Sequence, residues 1–244
     1  MRITSNSIEL PDELLSEMWN SFDWDSAEQK ILKWQKLLSI ASFKNHKEEM
    51  KRLSIRIVSS IEAKALAVHK VSEVLKSAPG IDNVRWIKAS DKMRAAISLS
   101  PHNYKSMPFK RFVISDARSN KERRIGIPSM YDRTMQVLYT MALEPIAEAT
   151  ADRKSFAFRK GRSALDAHAL LMDLLREPDA PSWFLICDVK SCYDSISHKW
   201  LLDNIPMNKK VLKEFIEAGI VFNNEIFPID TGISLGCNIS PILR

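Results

Sequence analysis

The sequence is short of cysteine and glycine and has no long apolar run, and each shortage removes a class of protein. Its three cysteines, Cys187, Cys192 and Cys237, form no CxxC pair. An odd, scattered set of thiols builds no disulfide framework, so a reduced, cytoplasmic protein is expected. The five histidines are dispersed, none at a zinc-ligand spacing. No secretory signal and no apolar stretch of membrane length occurs, so no membrane association is expected. Internal repeats and low-complexity tracts are absent as well. The first of only six glycines is Gly80, so little interrupts helix before that point. What is present is ordinary for a globular chain: 244 residues, 45% hydrophobic and 27% charged. That length allows one large domain or two small ones around an ample core. Thirty-six Lys plus Arg against 30 Asp plus Glu leave a net charge of +6, compatible with a nucleic-acid partner without being diagnostic of one.

Residues 1 to about 80 are expected to be helical. Asp25 followed by Glu28 matches a capping box. Trp24, Ile31 and Leu38 recur every seven residues, as do Ala27, Trp34 and Ala41, and together they form an apolar stripe. Asn45 and Glu48 repeat the capping pattern. A second stripe follows in Met50, Leu53, Ile57, Ile61, Ala65 and Val68. The stripes read as helix–helix packing. The polar faces carry Lys30, Lys33, Lys44, Lys47, Lys51, Arg52, Arg56 and Lys64, either simply solvated or in reach of phosphates. Ala78-Pro79-Gly80 ends this segment.

Phe109 to Ser115 then reads as a strand and Arg124 to Pro128 as its antiparallel partner. The tip between them exposes Arg118 and Lys121, with Arg123 and Arg124 just beyond. Such a basic ribbon suits a phosphate chain or a triphosphate, and equally an edge hairpin kept soluble by charge. Ser129 and Asp132 cap a helix carrying Met135, Leu138 and Ala142, which Pro145 should kink or end. In DRKSFAFRKGRS, Phe156 and Phe158 alternate with Arg153, Lys154, Arg159, Lys160 and Arg162. Rings that stack on bases and cations that bind phosphates make this a candidate nucleic-acid segment. Ser163 is expected to cap another helix with Leu165, Ala169, Met172 and Leu175 inward.

The stretch WFLICDVKSCYDSI follows. Its apolar run, Trp183 to Cys187, is expected to be a central strand buried on both faces. Asp188 ends it, and Asp194 comes six residues later behind Tyr193. A carboxylate at the mouth of a buried strand can meet a hard cation such as Mg²⁺. The alternative is that Asp188 merely ends the strand and Asp194 caps a turn. Further on, Ser197 should cap a short helix around Trp200, and a helix from about Lys209 to Ala218 should end at Gly219. Val221 to Phe227 should form a tight hairpin around Asn223-Asn224. Gly232 and Gly236, in TGISLGCNISPILR, leave the backbone free to approach a ligand.

In this order the pieces resemble the reverse transcriptases encoded by bacterial group II introns, the maturase-reverse transcriptases. SIEAKALAVHKVSE with PGIDNVRW is similar to that family's N-terminal extension and first block. ERRIGIPSMYDRTMQVLYTMALEPIAE with SFAFRKGRSALDAH resembles the second block, the most specific match. FLICDVKSCYDSI resembles the block carrying the first catalytic aspartate, and GISLGCNISPIL the one lining the nucleotide pocket. The resemblance runs from near Trp19 to the last residue.

The resemblance implies an α+β, right-hand polymerase architecture. A helical N-terminal extension would occupy residues 1–80, fingers 81–182 and a partial palm 183–244. Asp188 would be the catalytic, metal-binding carboxylate, with the Val189 carbonyl as second ligand to Mg²⁺. Tyr193 would lie under the incoming sugar and Arg123 would hold the triphosphate. Lys154, Arg159, Lys160 and Arg162 would follow the template, and Asp194 would brace the site. Some positions depart from the family pattern. Leu235 stands where a glutamine usually contacts the nucleotide, and Ser234 where a proline stands. Asp116 replaces a fingers lysine, for which Arg118 would substitute, and Ala157 replaces a glycine. The family's paired-aspartate block would follow the GISLGCNISPIL region and does not occur in the sequence. One of three carboxylates cannot hold two metals well, so the chain is expected to be inactive by itself. The implied function is RNA-directed DNA polymerisation, with RNA template, intron RNA, DNA primer and deoxynucleoside triphosphates as partners. The alternative is a non-catalytic RNA-binding splicing cofactor. A truncated palm would also expose apolar surface around Ile239, Ile242 and Leu243 and favour self-association.

Overall fold

The structure is a computed structural model and describes residues 10–74, 78–116, 121–176 and 178–243. Helices α1 (Asp12–Asn20), α2 (Trp24–Phe43), α3 (Lys47–Ser59) and α4 (Ile61–His69) build the first third of the chain. Helix α4 runs on as a π-turn over Lys70–Val74. The two heptad-like stripes form its interior: Ala27, Ile31, Trp34, Leu38, Ala41, Leu53, Ile57, Ala65 and Val68 are all buried. Ile61 departs from its stripe and is 40% exposed, because Ser60 breaks the run and restarts the helix as its N-cap. The caps of α2 and α3 also differ from expectation. Asp23, not Asp25, accepts the first free amide, from Ser26 at 2.9 Å, and Asp25 sits in the first turn, where a carboxylate favours the helix dipole. Asn45 takes a left-handed φ of 55° and closes the end of α2, with the His46 amide donating to the Ala41 carbonyl. Asparagine tolerates that conformation, which makes it a terminator here rather than a cap.

After α5 (Ala89–Ser98) come strands β1 (Phe109–Asp116) and β2 (Lys121–Ile127), antiparallel and longer than the sequence suggested. The hairpin tip, with Arg118, lies outside the described residues, as do the side chains of Asp116 and Arg123. Helix α6 (Met130–Thr150) is the spine of the molecule: Met135, Val137, Leu138, Tyr139, Leu143 and Ile146 are all buried. The expected Ser129 cap is present, with its hydroxyl accepting from the Asp132 amide at 3.1 Å. Pro145 neither ends nor breaks α6. A proline leaves the carbonyl four residues earlier without its helical donor, and here Gln35 supplies one, its Nε2 donating to the Met141 carbonyl at 2.8 Å.

Beyond α7 (Ala164–Arg176) lie α8 (His198–Asn204), α9 (Lys209–Ile216), the short strands β3 (Ile220–Phe222) and β4 (Glu225–Phe227), and α10 (Ser240–Leu243). The sheet order is β2-β1-β3-β4, with β1 and β3 parallel. Asn223 and Asn224 both have positive φ, 50° and 65°, as a two-residue hairpin turn demands. The architecture is therefore α+β, a helical body carrying a small sheet.

Two larger expectations fail as well. Residues 183–187 are not a buried strand: Trp183, Leu185 and Ile186 are 90%, 91% and 94% exposed. The sheet forms elsewhere, and among the described residues no backbone hydrogen bond ties this run to a neighbour. A strand without a partner cannot satisfy its own amides and carbonyls, so the run stays extended and open. Helix α7 likewise buries none of its described side chains, and Leu165 is 79% exposed. Its apolar face has the right period but no surface to meet.

Candidate nucleotide and template site

The loop from Gly232 to Asn238 is where distant parts of the chain converge. Its first residue lies on the Tyr193–Ser195 turn. The Gly232 amide donates to the Ile196 carbonyl and the Ile233 amide to the Tyr193 carbonyl, both at 2.8 Å. Gly232 has a φ of 79°, and a Cβ there would sit 2.7 Å from the Asp194 backbone, so only glycine fits. Buried His198 at the start of α8 contacts the Gly232 carbonyl through Nε2 at 2.6 Å. A carbonyl only accepts, so that nitrogen carries the proton. The middle of the loop reaches the β1–β2 hairpin, where the Gly126 amide of β2 donates to the Leu235 carbonyl at 2.8 Å. Its far end is held by α6, with Gln136 Oε1 accepting from the Asn238 amide at 3.1 Å. Cys237 beside it is buried, which pushes its thiol up to about 12 and keeps it a neutral packing group.

The fold thus brings Tyr193 and Leu235 onto one loop system, with Leu235 36% exposed at its surface. Asp188 and Val189 lie on the open extended run, and Asp188 Oδ1 accepts from the Val189 amide at 2.9 Å. Among the described residues no three His, Cys, Asp or Glu side chains gather to hold a metal ion. Asp188 could contribute one carboxylate to a cation; the donor set present does not by itself fit a two-metal centre.

The basic segment after α6 is organised by Glu148. Arg159 binds it bidentately at 2.8 and 2.6 Å and also donates to the carbonyls of Asp152 and Ser155. Arg162 reaches the same carboxylate at 3.2 Å and lies over the Phe156 ring at 5.9 Å. Lys154 and Lys160 instead project to solvent, the nearest carboxylate to Lys160 being Glu144 at 3.8 Å. Arg159 and Arg162 therefore shape the turn, and Arg153, Lys154 and Lys160 are the cations it presents. The Arg159 hydrogen bonds, with help from Arg162, hold the Glu148 carboxyl below the usual range against a modest desolvation. A lowered acid contributes stability above its unfolded pKa and loses it as pH falls through the folded one. Acidification through the lower carboxylate range should therefore loosen residues 152–163, seen as faster proteolysis there. Glu148→Gln should reproduce this at neutral pH, costing about 1 kcal/mol or less because the pair is partly solvated.

Residues 114–244 match the family model described as "Reverse transcriptase (RNA-dependent DNA polymerase)", and residues 19–99 match "N-terminal domain of reverse transcriptase". The chain belongs to the reverse transcriptase family. The resemblance to group II intron-encoded members is borne out by individual relatives. The chain is 31% identical over 162 residues to the group II intron-encoded protein LtrA of Lactococcus lactis subsp. cremoris, covering 64% of this chain and 26% of that protein. It is 28% identical over 152 residues to an uncharacterized 91 kDa protein in the cob intron of Schizosaccharomyces pombe, covering 60% of this chain and 18% of that one. Protein YkfC of Escherichia coli is 28% identical over 181 residues, 68% of this chain and 46% of its own length. The chain thus spans about a quarter of the length of the Lactococcus relative. Members of the family use divalent metal ions. Among the described residues no helix is long and apolar enough to cross a membrane.

Four contributors to the site escaped the sequence reading: Gly126, Gln136, Glu148 and His198. Gln136 had a signal, a polar side chain between Met135 and Val137 on the core-forming stretch of α6. The other three are defined by partners remote in sequence.

Proposed function

We propose that this chain is the N-terminal extension (1–80), fingers (81–182) and first part of the palm (183–244) of an RNA-directed DNA polymerase of the group II intron type. The observation that carries the reading is the Gly232–Asn238 loop, clamped between β2 and the Tyr193–Ser195 turn, within a segment matched by the reverse transcriptase family. In this reading Tyr193 and Leu235 face the incoming deoxynucleoside triphosphate, Arg123 and Arg118 its phosphates, and the 154–162 segment the RNA template. Asp188 and the Val189 carbonyl supply part of a Mg²⁺ site, whose other carboxylates would come from a paired-aspartate block of the kind the family carries. A second reading, a splicing cofactor that binds intron RNA without polymerising, is favoured specifically by Leu235 and Asp116, the two departures from the family pattern at nucleotide-contacting positions.

Primer extension on an RNA template, beside filter binding to structured RNA, tests both. Each is run on this chain and on the longest polypeptide encoded in frame with it. Extension by a polypeptide carrying the paired aspartates, with salt-sensitive RNA binding by this chain, is the expected result. RNA binding without extension by any form selects the cofactor reading, and no RNA binding overturns both.

Self-association belongs to the same reading, with its surface relocated. Ile239 and Leu243 are 2% and 3% exposed, packed inward by α10 rather than presented to solvent. The open apolar run at 183–186 and the α7 face are the surfaces a second copy would cover, since both expose large apolar side chains. Sedimentation should show concentration-dependent association of this chain. Leu185→Lys with Ile186→Lys should shift it to monomer, and an unchanged profile would remove that run as the contact.

A further inference from the structure

Away from the polymerase-like site, a cavity of about 750 Å³ opens between α3, α6 and the turn from α8 to α9. None of Asp188, Tyr193, Arg159 or Leu235 lines it. Its walls include Met50, Val58, Leu143 and Met207, and Tyr139 closes one side. Burial pushes the Tyr139 phenol up to about 12, so it stays neutral. A space of this size with mostly apolar walls holds an apolar ligand body better than it holds water.

Its charged features all have one sign. Among the described residues the ionisable side chains lining it besides Tyr139 are Lys47 and Lys51, with no Asp or Glu. The two lysines are four residues apart on α3, so they share a face and repel each other. Among the described residues neither is within ion-pair distance of a carboxylate, whereas Glu49 of the same helix is taken by Arg52. Lys47 is also the first residue of α3, whose N-cap, His46, makes no side-chain bond to the free amides. Glu48 and Glu49 in the first turn of α3 already answer the positive end of that helix, so the attraction for an anion rests on the two lysines. Ser54, one turn further in, has a buried hydroxyl without a hydrogen-bond partner. An anion at this mouth would answer the two lysines, and the Ser54 hydroxyl lies below it on the same face.

We propose that this cavity binds a small amphipathic anion: an aliphatic or aromatic body in the apolar space, with one carboxylate or similar group held by Lys47 and Lys51 at the start of α3. The site goes beyond the polymerase reading and does not depend on it.

The test is a titration of the intact chain with decanoate, and with decanol as its neutral counterpart, followed by methyl NMR of Met50, Ile55 and Met207. Saturable shifts at these methyls are expected, with decanol about tenfold weaker, the size of one charge-assisted contact. Lys47→Glu with Lys51→Glu should lower decanoate affinity by about tenfold or more and leave decanol unchanged. Both lysines are exposed, so folding should survive. The same charge change at exposed Lys33 and Lys36 on α2 should leave both ligands unaffected. The proposal is overturned by the absence of saturable shifts, by equal affinity for decanol, by insensitivity to the Lys47 and Lys51 changes, or by shifts confined to Trp183–Ile186.

Discussion

Asp132→Ala is expected to cost about 3–5 kcal/mol, enough to unfold a large part of the population of a marginally stable chain. Asp132 is fully buried at the first turn of α6. Its carboxylate accepts from the Tyr104 hydroxyl at 2.8 Å, the Ser129 hydroxyl at 2.6 Å and the Met107 amide at 3.1 Å. One side chain thereby ties the start of the spine helix to the segment that leads into β1. Removing it strands three donors in a site that water does not reach, each worth about 1–3 kcal/mol when left unmade. The Tyr104 phenol is pushed well above its ordinary range, first by desolvation and then by Asp132 itself, so it remains a donor at every accessible pH. Urea unfolding measures the loss, and a melting temperature lower by about 10 °C accompanies it. Tyr104→Phe is the graded control: it removes one donor, leaves the carboxylate two others, and should cost about 1 kcal/mol. An Asp132→Ala variant within about 1 kcal/mol of the wild type would mean that the network is ornamental.

Asp188→Asn should produce the largest functional effect, a fall in primer extension of about a thousandfold or more in a polypeptide that carries the remaining carboxylates. A metal-binding carboxylate contributes several kcal/mol to stabilising charge at the reacting phosphate, and each 1.4 kcal/mol is tenfold in rate. The substitution keeps the side chain's shape and its acceptor for the Val189 amide. Asp188 lies on an exposed run away from the buried core, so stability should be untouched. RNA affinity should also stay within about twofold, because phosphate contacts come from cations elsewhere. Unchanged extension would remove Asp188 from the site. A parallel loss of RNA binding would mean that the substitution disturbed the fold.

The parts of the fold legible in the sequence were those whose cause is local. The stripes through Trp34, Leu38, Leu53 and Ile57 announced a buried helical face, and the structure buries it. Ser129 and Ser197 were readable as caps because a cap needs only its own next turn. Asn223-Asn224 was readable because two positive φ angles in succession leave few residue choices. At the candidate site, Tyr193 and Leu235 were legible as motif residues. The hydrogen bonds that place them, from Gly126, Gln136 and His198, were not. Arg159 shows the same limit. Its position in a basic, aromatic segment suggested a free template contact, but Glu148, eleven residues earlier, occupies its guanidinium.

The sequence by itself therefore determined the helical first third, the two hairpins, the Ser129 and Ser197 caps and the family, all carried by spacing along one chain. Tertiary structure alone decided which apolar faces find cover. Residues 183–187 and α7 have the composition and period of buried elements, yet both stay open. Periodicity records which side of an element would gain by burial, whereas burial itself requires a second surface, and a strand requires a neighbour's amides and carbonyls as well.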